Sequence, residues 1–141
     1  MMANAVFLDA NAIIYALDET SVFYNHAVSV IQKLLQDNNE LCTSHHVIEE
    51  VIYIAVKSTG GEVKPVTVVE AITKIPGLVL VEPAANIGFA HRYAQLCEKY
   101  KLGINDALLL QLMVDAAIDQ LFSYDKKLVD KATVLGIKQV A

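Results

Sequence analysis

A single arginine, Arg92, and eleven basic residues in all stand against sixteen acidic ones, for a net charge of −5. So few cations exclude a generic nucleic-acid coat, which would be basic. They do not exclude an acidic pocket neutralised by a divalent metal. There are only two cysteines, Cys42 and Cys97, and they lie far apart. An intracellular chain keeps such residues as thiols, and apolar neighbours on both sides read each as a buried structural cysteine. No apolar run reaches the roughly 18 uncharged residues that a membrane span needs. The longest candidate, "ALLLQLMVDAAI", is broken by Gln111 and Asp115. No basic region precedes the first apolar run, so no signal peptide is expected and a cytoplasmic location follows. Internal repeats, linkers, low-complexity segments and a glycine-rich phosphate loop are also missing. Of the histidines, His45 and His46 are adjacent and His26 and His91 isolated; none has zinc-site spacing, and they read as solvated or helix-start residues.

What is present fits one globular domain over residues 1–141, with 55% apolar and 19% charged residues. "AVFLD" (5–9) reads as a short buried strand, and "NAIIYALDE" then turns helical with Asp9 or Asn11 as a cap. Apolar residues at helical spacing mark a helix over 21–39, with Ser21 as N-cap and Asn38–Asn39 as its stop. "ELCTS" (40–44) is a second strand. A helix follows over 45–58, ended by Gly60–Gly61. Pro65 opens another, "PVTVVEAITKI", closed by Pro76–Gly77. "LVLVEP" (78–83) is a third strand, and a helix over 86–101 ends near Gly103. The helix over 105–118 is nearly all apolar and is expected to be buried. "QLFSYD" (120–125) is a fourth strand, "KKLVDKATVL" a short helix ended by Gly136, and "IKQVA" (137–141) a fifth strand. Such alternation predicts an α/β fold with a central parallel sheet of about five strands and helices on both faces.

In sheets of this kind ligands bind beyond the carboxyl ends of the strands. Four acidic positions fall there: Asp9 after the first strand, Glu49 or Glu50 in the helix after the second, Asp106 at the start of the most buried helix, and Asp125 after the fourth. In a parallel sheet they would converge on one cleft. Converging carboxylates repel and raise each other's pKa values unless a cation joins them. Mg²⁺ and Mn²⁺ prefer such oxygen-rich sites, and there they serve phosphodiester hydrolysis. Each acid also has a plainer reading. Asp9 and Asp125 fit helix caps, Asp106 gains from a helix dipole, and Glu49 and Glu50 both flank the apolar arc of their helix. Lys126 and Lys127, beside Asp125, fit either substrate phosphates or a solvated helix start.

"VFLDANAIIYA", "TSHHVIEEVIYI", "GINDALLLQLMV" and "LFSYDKKL" together resemble the four successive motifs of PIN-domain proteins, in the family's order and over nearly the whole chain. That family includes the VapC toxins of prokaryotic toxin–antitoxin pairs and also unpaired ribonucleases. The resemblance implies a three-layer α/β/α fold and an endoribonuclease that hydrolyses RNA with Mg²⁺ or Mn²⁺. Its four acids fall on Asp9, Glu50, Asp106 and Asp125, which would both ligate metal and serve catalysis. The spacing from Ser44 selects Glu50 over Glu49. Asn11 and Ser123 take the supporting polar positions. A VapBC-type toxin is the reading implied within the family, with RNA as substrate, a homodimer as the expected assembly and an antitoxin as the expected protein partner. Apolar residues of 21–39 and of "GGEVKPVTVVEAI" are candidates to face those partners, and an antitoxin is expected to insert a basic residue among the acids.

Two other classes remain open. One is a non-catalytic PIN-like interaction module in an RNA-processing assembly. The other is an aspartyl phosphatase or receiver on a similar fold, against which Asn11 speaks, since those phosphatases carry a second Asp at that place.

Overall fold

Ala5–Leu8 carries no charge, and none of its residues exceeds 4% exposure. A strand buried on both faces reads as an unbroken apolar run, and this one forms the centre of the sheet. In the computed structural model, which describes residues 4–140, β1 (Ala5–Leu8) pairs on one side with β2 (Glu40–Thr43) and on the other with β4 (Gln120–Phe122). Short edge strands, β3 (Val79–Leu80) and β5 (Lys138–Gln139), complete the order β3-β2-β1-β4-β5, with every pairing parallel. The five-strand parallel sheet expected from the sequence is therefore present. The expected third and fifth strands are shortened to two residues each. Both are exposed at the sheet's edges, where little burial rewards further pairing, and residue 141 lies outside the described residues.

Among the described residues, seven helices complete the three-layer α/β/α arrangement. They are α1 (Ala10–Leu17), α2 (Tyr24–Gln36), α3 (His45–Ser58), α4 (Pro65–Ile72), α5 (Ile87–Tyr100), α6 (Ile104–Asp115) and α7 (Lys126–Val134). The first four pack on one another, and α5 packs on α6. Pro65 opens α4 at its first turn as expected, because its missing N–H is not needed there. Ser21 does not cap α2. That helix starts later, at Tyr24, and the Ser21 hydroxyl instead accepts from Phe23 N at 3.1 Å, shaping the turn ahead of it. Asn38 ends α2 in the left-handed region, at φ 62°. Gly103 does not end α5 either: Lys101 takes the left-handed cap at φ 54°, and Gly103 precedes α6.

Helix α6 is buried along most of its length, with Leu110, Leu112 and Met113 each at 1% exposure or less. The lone arginine ties it to α5. Arg92 Nη2 donates to Asp115 Oδ2 at 2.6 Å, while Gln111 Nε2 holds Asp115 Oδ1 at 2.8 Å. Cys42 is buried as expected, its thiol aimed at the Val6 carbonyl 3.4 Å away and pushed up to about 12 by burial and then by the charge of Glu40. Cys97 is only half-buried, on an α5 turn less covered than its sequence neighbours imply.

Helix α6 ends with the Ile118 N–H on the Met113 carbonyl at 2.9 Å and the Ala117 N–H on the Val114 carbonyl at 3.1 Å. This pair of hydrogen bonds to the last turn needs a left-handed residue, normally glycine, yet Ala117 takes that place at φ 56°. An L-residue there costs about 1–2 kcal/mol, and glycine's extra unfolded-state freedom offsets part of the relief. Ala117→Gly is expected to raise stability by about 0.5–1 kcal/mol, read as a higher urea midpoint with an unchanged slope. A lower midpoint would contradict this account of the cap.

Candidate active site

Strand order places the chain's reversal at β1. From there it runs outward through β2 and β3, then crosses back to β4 and β5. Loops leaving β1 and β4 therefore diverge at their carboxyl ends and open a crevice between them. Asp9 ends β1 there, and Ser123, Tyr124 and Asp125 follow β4.

Asp9 is buried, at 8% exposure, and each of its oxygens is held. Oδ1 accepts from the Ala10 N–H at 2.8 Å, and Oδ2 accepts from the Ser123 hydroxyl at 2.7 Å. Ser123 is itself saturated. Its hydroxyl donates to Asp9 and accepts from the Asp125 N–H at 3.0 Å and, at a long 3.5 Å, from Asn11 Nδ2. One donor and two acceptor positions are all a hydroxyl has. Asn11 Oδ1 accepts from the Tyr124 N–H at 3.0 Å, and Gln139 Nε2 donates to the Ser123 carbonyl at 3.0 Å. The loops after β1 and β4 are thus stitched together by side chains. Asp125 also caps α7, accepting from Lys127 N and Leu128 N at 3.0 and 3.3 Å. Capping and facing the cleft are not alternatives for Asp9 and Asp125; each does both.

All four acids implied by the motif resemblance, Asp9, Glu50, Asp106 and Asp125, line one cleft of about 310 Å³, together with Asn11, Tyr15, His46 and Asn105. Among the described residues no lysine or arginine lines it. Burial raises the Asp9 pKa most, against the lowering effect of Ser123 and Ala10, and the charge of Asp125 raises it further. Asp106 is raised by burial, then by Asp125 and Asp9. Glu50, the most open of the four, is raised by partial burial and by Asp9, Asp106 and Asp125, with His46 pulling the other way. Glu49 lines only the neighbouring groove, whereas Glu50 borders both that groove and this cleft. The donor set, four carboxylates with amide and imidazole groups and no compensating cation, suits a hard divalent ion. Among the described residues, however, no three His, Cys, Asp or Glu side chains stand close enough to share one ion directly.

Two features escape sequence reasoning. His46 stands in the first turn of α3 as expected, but it is not solvated there: it lines the cleft, and its Nε2 is buried without a hydrogen-bond partner. Adjacency to His45, which is exposed and 3.4 Å from Glu82, disguises this. The second is an aromatic brace. Tyr124 packs edge-on against Tyr15 with ring centroids 5.0 Å apart, and its hydroxyl shares a 2.6 Å hydrogen bond with His26 Nδ1. Aromatic residues spread over two helices and a loop leave no periodic signal.

A PIN domain profile matches residues 6–134, and the chain belongs to the PIN domain family. Its fold is that of VapC proteins. It is similar to Mycobacterium tuberculosis VapC20, a sarcin-ricin loop cleaving toxin, at 13% identity and a TM-score of 0.65, over 94% of this chain and 95% of that one. VapBC2 from Rickettsia felis, bound to a DNA fragment from its promoter, is similar at 20% identity, a TM-score of 0.65 and 96% of both chains. VapBC-1 from nontypeable Haemophilus influenzae is similar at 17% identity with the same score and coverage. No curated protein matches by sequence.

Removing the Ser123 hydroxyl strands a buried carboxylate oxygen and two donors. Ser123→Ala is expected to destabilise the fold by about 2 kcal/mol, measured by chemical denaturation; a loss below a few tenths would show the hydroxyl to be dispensable. Glu50→Gln should act in the opposite sense. A raised folded-state pKa contributes stability that is complete below the unfolded-state value and lost as pH rises through the folded-state value. Without added metal, Glu50→Gln should therefore melt higher than the native chain near neutral pH. That advantage should shrink as pH falls toward the ordinary carboxylate range, about 4. An equal or lower melting temperature at neutral pH would contradict the mutual repulsion.

Proposed function

We propose that the protein is a single-domain, divalent-metal-dependent endoribonuclease that hydrolyses RNA phosphodiester bonds, and that it is the toxin of a VapBC-type pair. The observation that carries this reading is the convergence of four carboxylates on a cleft with no lysine or arginine in its wall. Membership of the PIN family and the VapC-like fold support it.

Asp9, Glu50, Asp106 and Asp125 would hold Mg²⁺ or Mn²⁺, in large part through water, in keeping with a donor set too widely spaced for direct ligation by three groups. When bound, the metal supplies an activated water and stabilises charge on the phosphate. The chain's own residues prepare for this. Ser123 and the Ala10 N–H fix both oxygens of Asp9, and Asn11 locks the β4 loop that carries Asp125. Supporting groups of this kind typically change activity or metal affinity by about 10–100-fold when lost.

A cytoplasmic location, a homodimer and an antitoxin belong to the same proposal. Among the described residues no helix is long and apolar enough to cross a membrane. Val22, at 91% exposure, and Val66, at 68%, are apolar residues free to face a partner. The second reading, a non-catalytic PIN-like module, is favoured by one observation, the wide spacing of the carboxylates.

The deciding assay is cleavage of single-stranded RNA. Activity should require Mg²⁺ or Mn²⁺ and stop with chelator. Asp9→Asn and Asp106→Asn should each lower the rate by at least about 10²-fold, with Asn11→Ala falling about 10–100-fold. Metal-independent turnover, or full activity in either aspartate variant, would overturn the mechanism. No cleavage by the native chain under any metal, with the acids freely replaceable, would favour the module.

A further inference from the structure

The acid cleft does not stand alone. On its Asp106 side it adjoins a hollow of about 420 Å³ between the α5–α6 junction and α7, lined by Lys101, Lys127 and Lys131 with Asp106 as a shared wall. We infer that this hollow is a phosphate-binding subsite that grips the RNA strand next to the bond being cut, through the ammonium groups of Lys101, Lys127 and Lys131. The inference rests on the nuclease reading and names where that substrate is held.

Charge bookkeeping supports it. The chain has eleven basic residues, and three of them converge on this one hollow. Among the described residues none of the three forms an ion pair, whereas Lys33, Arg92 and Lys126 do. The hollow's other acid, Asp130, lies 3.8 Å from Lys126 Nζ, which offsets its charge. Three ammonium groups around one hollow repel one another, and an anion between them relieves that repulsion. Lysine ammonium groups act as mobile point charges suited to phosphate.

Backbone conformation adds a second observation. Lys101 takes the left-handed cap of α5, at φ 54° and ψ 46°, a place where glycine is the ordinary choice. A lysine is retained there at a conformational cost, and it lines the hollow. The opposite flank of the acid cleft offers no equivalent. Its groove is walled mainly by apolar residues, and its one lysine, Lys57, already donates to the Tyr53 hydroxyl at 3.3 Å. Three lysines therefore gather on the Asp106 side of the acids, against one on the other. The phosphates of the strand are directed to the Asp106 side, and Lys126, which sequence adjacency pairs with Lys127, is left out.

The test is binding of a fluorescent single-stranded oligoribonucleotide, followed by anisotropy in chelator over a range of salt concentrations. The triple variant Lys101→Gln/Lys127→Gln/Lys131→Gln changes exposed or half-buried side chains, and circular dichroism confirms its folding. Its affinity should fall at least tenfold. Its slope of log affinity against log salt should flatten by about 2, the release expected for three phosphate contacts on a single strand. A control triple, Lys33→Gln/Lys64→Gln/Lys74→Gln, removes the same charge elsewhere and should leave the slope near the native value. Native-like affinity and slope in the first triple, or equal losses in both, would overturn the subsite. No binding by the native chain would overturn the subsite, while the metal-dependent cleavage assay decides the nuclease reading separately.

Discussion

A carboxylate taken out of water at the centre of the sheet governs how the rest of this molecule is arranged. Asp9 ends the most buried strand, and a charge there is costly unless its oxygens are held. Ser123 and the Ala10 N–H hold them. Ser123 can do so only because β4 lies beside β1 in parallel register, with Leu8 opposite Phe122. The apolar core thus fixes the register, the register brings Ser123 to Asp9, and the saturated hydroxyl then positions Asp125 and Asn11. Stability and site chemistry meet in one side chain.

Charge is distributed with equal economy. Where the acids gather, burial first and then their mutual charge raise the pKa values of Asp9, Glu50 and Asp106. The only arginine is spent far from them, bridging α5 to Asp115 on α6. That choice suits the geometry. A guanidinium near the acids would form bidentate pairs with them and fill the cleft from within. A net charge of −5 is then compatible with an anionic substrate, provided that cations are local and the acids are screened.

Much of this was readable in the residues. The element order, the parallel sheet and its five strands follow from short apolar runs alternating with helical periodicity, and Asp9, Asp106 and Asp125 follow from their places at strand and helix ends. What periodicity does not encode is which of two adjacent residues faces inward. Glu49 and Glu50 flank the same arc, and only the packing of α3 sends Glu50 to the cleft. His46 was masked by His45 for the same reason. Caps were misassigned, and the start of α2 misplaced, where local chemistry was overruled by tertiary geometry. Gly103 has the right identity for a cap, yet Lys101 takes the left-handed turn, and Ser21 shapes a turn ahead of the helix it was expected to begin. The brace among Tyr15, His26 and Tyr124 joins residues up to 109 positions apart (Tyr15 to Tyr124), beyond the reach of any local pattern.

Cys42 carries a consequence of a different kind. Its thiol sits in β2 against the central strand, protonated across the whole physiological range, while Cys97 is half-exposed on α5. Alkylating reagents attack thiolates that they can reach. The two sulfurs are therefore a paired internal gauge. Cys97 is the more accessible of the two, and Cys42 is reached only when the β1–β2 ladder opens. The rate at which the second label appears measures how often the centre of the sheet comes apart, with no engineered probe.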